Sequence, residues 1–91
     1  MSQPIFILKG TEAAAPTGSG TASNVSSARV VRCVNSGSTA RLVTLEESGG
    51  TDIGTLTVAG GESVLIHKDA TDKIFAAHAE ILLTPVGIYQ G

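Results

Sequence analysis

Residues 53–68 read IGTLTVAGGESVLIHK, and this stretch decides the fold class. Leu56 and Val58 fall on one face of an extended chain and Thr55 and Thr57 on the other, because side chains alternate with a period of two along a strand. After Gly60-Gly61 the alternation resumes, with Val64 and Ile66 on one face and Ser63, Leu65 and His67 on the opposite one. The two glycines supply backbone that tolerates positive φ, so residues 53–58 are expected to turn tightly into residues 62–68 as a β-hairpin.

Working outward, residues 28–35 (ARVVRCVN) carry apolar side chains on both faces, the pattern of a central strand. A Ser36-Gly37-Ser38-Thr39 turn follows and makes residues 40–47 (ARLVTLEE) the expected hairpin partner; Ser48-Gly49-Gly50-Thr51-Asp52 then breaks the chain. Downstream, Asp69-Ala70-Thr71-Asp72 is one helical turn or a β-turn in which either Asp can cap backbone N–H groups. Residues 73–77 (KIFAA) and 80–86 (EILLTPV) give two further strands. Pro85 has no N–H to donate, which predicts that this part lies at an edge or leaves the sheet. Near the N-terminus, residues 4–9 (PIFILK) form a short strand started by Pro4. Short strands every ten residues or so, divided by Gly and Ser turns, predict an all-β protein: a small antiparallel β-sandwich, immunoglobulin-like or jelly-roll-like, with an extended N-terminal arm. The lone Cys33 and the absence of Trp exclude the antibody type.

The arm is a matter of composition. In residues 10–27, every residue except Glu12, Pro16, Asn24 and Val25 is Gly, Ala, Ser or Thr, which divides the chain into an extended strand and low-complexity arm, 1–27, and a sandwich domain, 28–91. Such a segment has few side chains to offset the roughly 1–2 kcal/mol of backbone entropy lost per ordered residue. Order there calls for packing, either against another chain or along the domain's own surface. The first alternative predicts a partner-binding arm in which Ile5 and Ile7 anchor and Ala13, Ala14, Ala15, Gly18 and Gly20 let another backbone approach closely.

The 91 residues suffice for one domain, and at this size only roughly 60 to 65% of the unfolded surface is buried. Phe6, Phe75 and Tyr89 are the only aromatic residues; the two Phe are assigned to a core otherwise filled by Val, Ile, Leu and Ala. The net charge of −2 and the scattered Lys and Arg offer no basic stripe, so nucleic acid is not an expected partner. Ile5-Phe6-Ile7-Leu8 is too short for a membrane span or a signal-peptide core, so the chain is read as soluble, without a membrane partner.

Chemistry has few candidates. Cys33, in the apolar run 30–34, reads as a small buried hydrophobe, and a single cysteine cannot build a disulfide or a multi-thiolate zinc site. His67, Asp69, Asp72 and His78 supply too few convergent ligands for a metal, and His67 reads as a strand residue beside a capping Asp69. No Gly-x-Ser-x-Gly elbow or phosphate loop occurs. The charged run 68–73 reads as a solvated turn, with a ligand-contacting loop as its alternative. The expectation is a protein that is not an enzyme, with no catalytic, cofactor or metal residue and no cofactor.

Three stretches together, VRCVNSGSTARLVTL, IGTLTVAGGESVLIHKDATDKIFA and ILLTPV, spanning residues 31–86, resemble small virion structural proteins of tailed bacteriophages, particularly of marine and cyanobacterial phages. The likeness lies in the Asn-Ser-Gly turn, the Gly-Gly turn before Glu-Ser-Val, the Lys-x-x-Thr-Asp-Lys loop and the terminal Thr-Pro-Val. It implies a β-sandwich subunit of the virion, a capsid decoration or cement protein bound to the major capsid protein and to copies of itself, with a neck or tail component second. The competing class is a carbohydrate- or cell-surface-binding module, for which the chain offers few aromatic platforms.

Overall fold

The structure, a computed structural model, describes residues 5–89. Pro4, expected to start the first strand, lies outside the described residues. All seven expected strands form, together with one very short strand and a 3₁₀ turn inside the arm: β1 (Ile5–Leu8), β2 (Ala13–Ala14), η1 (Ser19–Thr21), β3 (Val30–Asn35), β4 (Arg41–Glu46), β5 (Asp52–Val58), β6 (Ser63–His67), β7 (Lys73–Ala76) and β8 (Ile81–Tyr89). No α-helix occurs among the described residues.

Two antiparallel sheets result. The first runs β1-β8-β3-β6, with β2 also on β8; the second runs β5-β4-β7. Ser23 bridges the outer edge of β7 at Ile74, so the arm supplies a fourth member to the second sheet. Counted that way, the sheets take the orders first-eighth-third-sixth and second-seventh-fourth-fifth, which is the connectivity of an eight-stranded jelly roll. Between the sheets lie Val31 and Cys33 of β3, Val43 of β4, Val58 of β5, Ile66 of β6, Ile74 and Ala76 of β7, and Ile81 and Leu83 of β8, with Ala15 and Val25 contributed by the arm. Neither Phe joins this core, contrary to expectation: Phe75 points to the outer face of the second sheet and Phe6 is exposed, so the core cluster of the described residues contains no aromatic side chain.

The expected hairpin at Gly60-Gly61 does not form, because β5 pairs with β4 and β6 pairs with β3, in different sheets. The Ala59 carbonyl accepts from the Glu62 N–H at 2.9 Å, which closes a four-residue turn, but only Gly61 of the two central residues has positive φ (80°). A hairpin-type I′ turn needs positive φ at both; with it only at the second, the flanking strands splay. Gly60 is needed for space, since a Cβ there would come within 2.7 Å of the Ser38 backbone. Residues 36–40 likewise carry the chain across from β3 to β4, so β4 is not the hairpin partner of β3; its hairpin is with β5, through residues 47–51.

Both crossings are tied by Asn35. Its Nδ2 donates to the carbonyls of Thr39 (2.7 Å) and Val58 (2.9 Å), and its Oδ1 accepts from the Gly37 N–H at 2.9 Å. The Asn35 main chain adds two bonds, accepting from the Gly61 N–H and donating to the Glu62 carbonyl. The residue is fully buried, and every one of these bonds replaces water that a turn would otherwise need.

Pro85 also departs from expectation. It sits inside β8, a strand flanked by β1 and β3, rather than at an edge. Its carbonyl accepts from the Lys9 N–H at 2.9 Å, so its missing N–H faces the arm as well. The arm breaks there. Leu8 pairs with Val86 and Ala13 with Leu83, leaving four arm residues opposite two of β8, and Gly10 lies so close that a Cβ would meet the Pro85 ring at 2.7 Å. Asn35→Ala leaves the Val58 and Thr39 carbonyls and the Gly37 N–H without their partner and is expected to lower the unfolding free energy by about 3 kcal/mol or more, read from urea denaturation.

Candidate interaction surface

Of the two ways the arm could be ordered, against another chain or along the domain's own surface, the structure shows the second, with the arm bonded along one side of the domain. β1 and β2 cover the edge of β8, and the Ala15 N–H donates to the Ile81 carbonyl at 2.7 Å. The chain then crosses to the second sheet, where Pro16 accepts from the Ala76 N–H (2.8 Å) and Ser23 exchanges two bonds with Ile74. Between those contacts η1 lies over the outer face of β4: the Ser19 hydroxyl donates to Glu46 Oε2 at 2.8 Å. Glu46 is fully buried, and its Oε1 has no hydrogen-bond partner among the described residues. Leaving the second sheet, Val25, Ser26 and Ser27 take three successive left-handed conformations (φ 53°, 56° and 57°), a costly geometry, above all for β-branched Val25. Val25 burial and bonds from the Val25 N–H to Ser23 and from the Ser27 N–H to Asn24 hold it.

The seven arm residues therefore serve different ends. Ala15 is buried in the chain's own core, whereas Ala13 and Ala14 are exposed and Gly18 and Gly20 face open space. Ile5 and Ile7 are exposed at 62% and 42%, and so are their neighbours Phe6 and Leu8 at 38% and 72%. β1, paired with the C-terminal part of β8, thus presents an apolar ribbon that is exposed among the described residues. Its sequence signal was complete, four consecutive apolar residues where a half-buried strand would alternate.

The opposite side was not legible as a surface. Residues 52–57 of β5 are all exposed, and the outer edges of β5 and β6 have no strand partner among the described residues. Between them opens a slot of about 220 Å³ lined by Val43, Leu45, Gly54, Thr55, Leu56 and Ile66. Ile53 and Leu65, next in sequence to the lining residues Gly54 and Ile66, are exposed at 55% and 41%. A Cβ on Gly54 would touch nothing, so the slot exists partly because that position carries no side chain.

Polar clusters elsewhere are satisfied internally. In the 68–73 loop the Asp72 N–H donates to the Asp69 carbonyl and the Asp69 N–H to Asp72 Oδ2, which makes Asp72 the capping residue of a β-turn. Lys68 is buried rather than solvated, its ammonium donating to the Asp69 and Ala70 carbonyls; burial pulls its pKa below the ordinary value, opposed by the charges of Asp72 and Asp69. His67 is exposed, and the His78 Nδ1 accepts from the Glu80 N–H, whose carboxylate pairs with Arg41 at 2.9 Å. Among the described residues no group of three His, Cys, Asp or Glu is placed to hold a metal ion. Lys9, Arg29, Ser26 and Ser27 border an open cleft of about 500 Å³ beside the left-handed turn, where no two of their polar groups bond each other.

Cys33 is fully buried, and burial pushes its pKa up to about 11 from the ordinary 9.0. The folded state then holds its proton where the unfolded chain has lost it, so the contribution is intact below pH 9 and is lost as pH rises toward 11. Compared with known families, curated proteins and solved structures, the chain matches no family model, no curated protein and no solved structure. Between about pH 9 and 11 the unfolding free energy is expected to fall by about 1.4 kcal/mol per pH unit more than in Cys33→Ala, measured by urea denaturation across that range.

Proposed function

We propose that this protein is a non-catalytic structural subunit of a tailed-phage virion, a capsid decoration or cement protein that binds the major capsid lattice and copies of itself. It is made in the host cytoplasm and carried on the particle. Jelly rolls serve capsid subunits, lectins and cupins alike, so the fold does not choose among them. What carries the architectural reading is β1, whose four consecutive apolar side chains are all exposed on a strand held in place by β8. A contiguous apolar ribbon of this kind marks a surface that another molecule covers. The virion itself enters through the resemblance of residues 31–86 to small phage structural proteins.

Deleting the arm does not test this reading, because the deletion also uncovers β7 and β8, removes Ala15 from the core and strips Glu46 of Ser19. Leu8, the most exposed residue of the ribbon, is the cleaner probe. Leu8→Asp is expected to keep the thermal midpoint of the parent while its occupancy on purified phage particles, read by co-sedimentation, drops about tenfold or more, the equivalent of 1.4 kcal/mol. Undiminished occupancy contradicts the proposal.

A further inference from the structure

The molecule's two sides are unequal. On one the arm lies along both sheets and ends the first with β1, while on the other β5 and β6 end their sheets; among the described residues β1, β5 and β6 each have a strand partner on one edge only. Natural edge strands are usually defended by Lys, Pro or inward charges. β5 has none of these beyond its first residue: from Ile53 to Val58 it carries no charge and no proline, and its one irregularity is a bulge at the start, between its pairings with Leu45 and Glu46. The regular edge therefore covers residues 54–58, about the length of β1.

From this we infer that β5 is the docking edge for β1 of a second copy of this chain, which adds antiparallel to it and joins the first sheet of one molecule to the second sheet of the next. The inference deepens the architectural reading and rests on it for the crowding of many copies. Three features select the occupant. First, the faces match. Ile5 and Ile7 pair with Tyr89 and Gly87, in phase with the core residues Ile81 and Leu83, so they lie on the inner face of the first sheet. Gly54 and Leu56 pair with Leu45 and Val43 on the inner face of the second. Setting Ile7 opposite Gly54 and Ile5 opposite Leu56 continues one inner face into the other and puts the Ile7 side chain where Gly54 leaves the slot empty. A shift by one residue would turn both isoleucines to the outer face.

Second, the charges match. In that register Lys9, which follows β1, arrives alongside Asp52, which begins β5, and both are exposed. Third, the contact cannot form within one molecule, because β1 and β5 occupy opposite sides of the sandwich. It is a head-to-tail contact between different patches, and repetition of such a contact generates a ring or an open row instead of a closed dimer.

The test is site-directed cross-linking of the full chain. Ile7→Cys protein mixed with Gly54→Cys protein, and Phe6→Cys mixed with Thr55→Cys, present adjacent pairs that alternate between the two kinds of antiparallel site, so one pair has the closer spacing whatever the phase. Cys33 is buried and stays out of the reaction. At least one mixture is expected to form the mixed disulfide about tenfold faster than Ile7→Cys mixed with Thr71→Cys. The parent is expected to grow with concentration in sedimentation velocity, and Gly54→Arg to abolish that growth while keeping the parent's circular dichroism. The inference is overturned if neither mixture exceeds the control, or if Thr55→Cys alone cross-links faster than either, which means that β5 pairs with itself. Particle binding without cross-linking overturns this pairing and leaves the architectural reading standing; cross-linked chains that ignore particles do the reverse.

Discussion

Asn35 is the constraint from which the rest of the architecture follows. At the end of β3 its amide holds the carbonyls of Thr39 and Val58 while its oxygen takes the Gly37 N–H, and its main chain bonds Gly61 and Glu62. One buried side chain thereby pins the two segments that cross between the sheets, 36–40 and 59–62. Had 59–62 closed as a hairpin, β5 and β6 would have consumed each other's edges. Because both cross, β5 closes its sheet on one layer and β6 on the other, and two strand edges are left side by side with an apolar slot between them.

The arm solves the same problem on the opposite side. It covers β8, then β7, and it does so with small residues because the work is done by main-chain bonds and by the few side chains that reach inward, Ala15 and Val25. The cost is visible in the left-handed run at residues 25–27 and in the buried Glu46 carboxylate that Ser19 only half satisfies. A chain this short with an aliphatic core has little stability to spare. The arm spends strain to cover β8 and β7, yet it leaves β1 as an open edge on its own side and β5 as one on the other, and an edge that stays open is a place where another strand can add.

Local periodicity made the strands legible. The alternation in 53–58 and 62–68, the two-sided apolar run of 28–35 and the turn residues between them mark each element to within a few residues. Pairing was not legible, since it depends on which way each turn is twisted. Gly60-Gly61 reads as a hairpin because two glycines permit positive φ, yet only Gly61 uses it. Pro85 reads as an edge because it has no N–H to give a neighbouring strand, whereas the structure aims that gap at a break in the arm beside Gly10. Phe6 and Phe75 read as core on hydrophobicity alone, but each falls on the wrong phase or beyond the end of the sandwich. The Asn35-Ser36-Gly37 turn did carry the signal for the first crossing, since Asn at such a position bonds backbone two residues on. The slot at Gly54 had no signal, being the product of two strands distant in sequence.

On the proposed pairing, the β5 edge stands open in a single molecule and is covered when molecules assemble. Backbone amide hydrogen exchange resolved along residues 54–58 tests it directly. The amides pointing away from β4 are expected to exchange rapidly in dilute solution and to become protected on particles or in concentrated protein, while those bonded to β4 stay slow in both. Protection of the outward amides in the dilute monomer, or their continued rapid exchange after assembly, would contradict it.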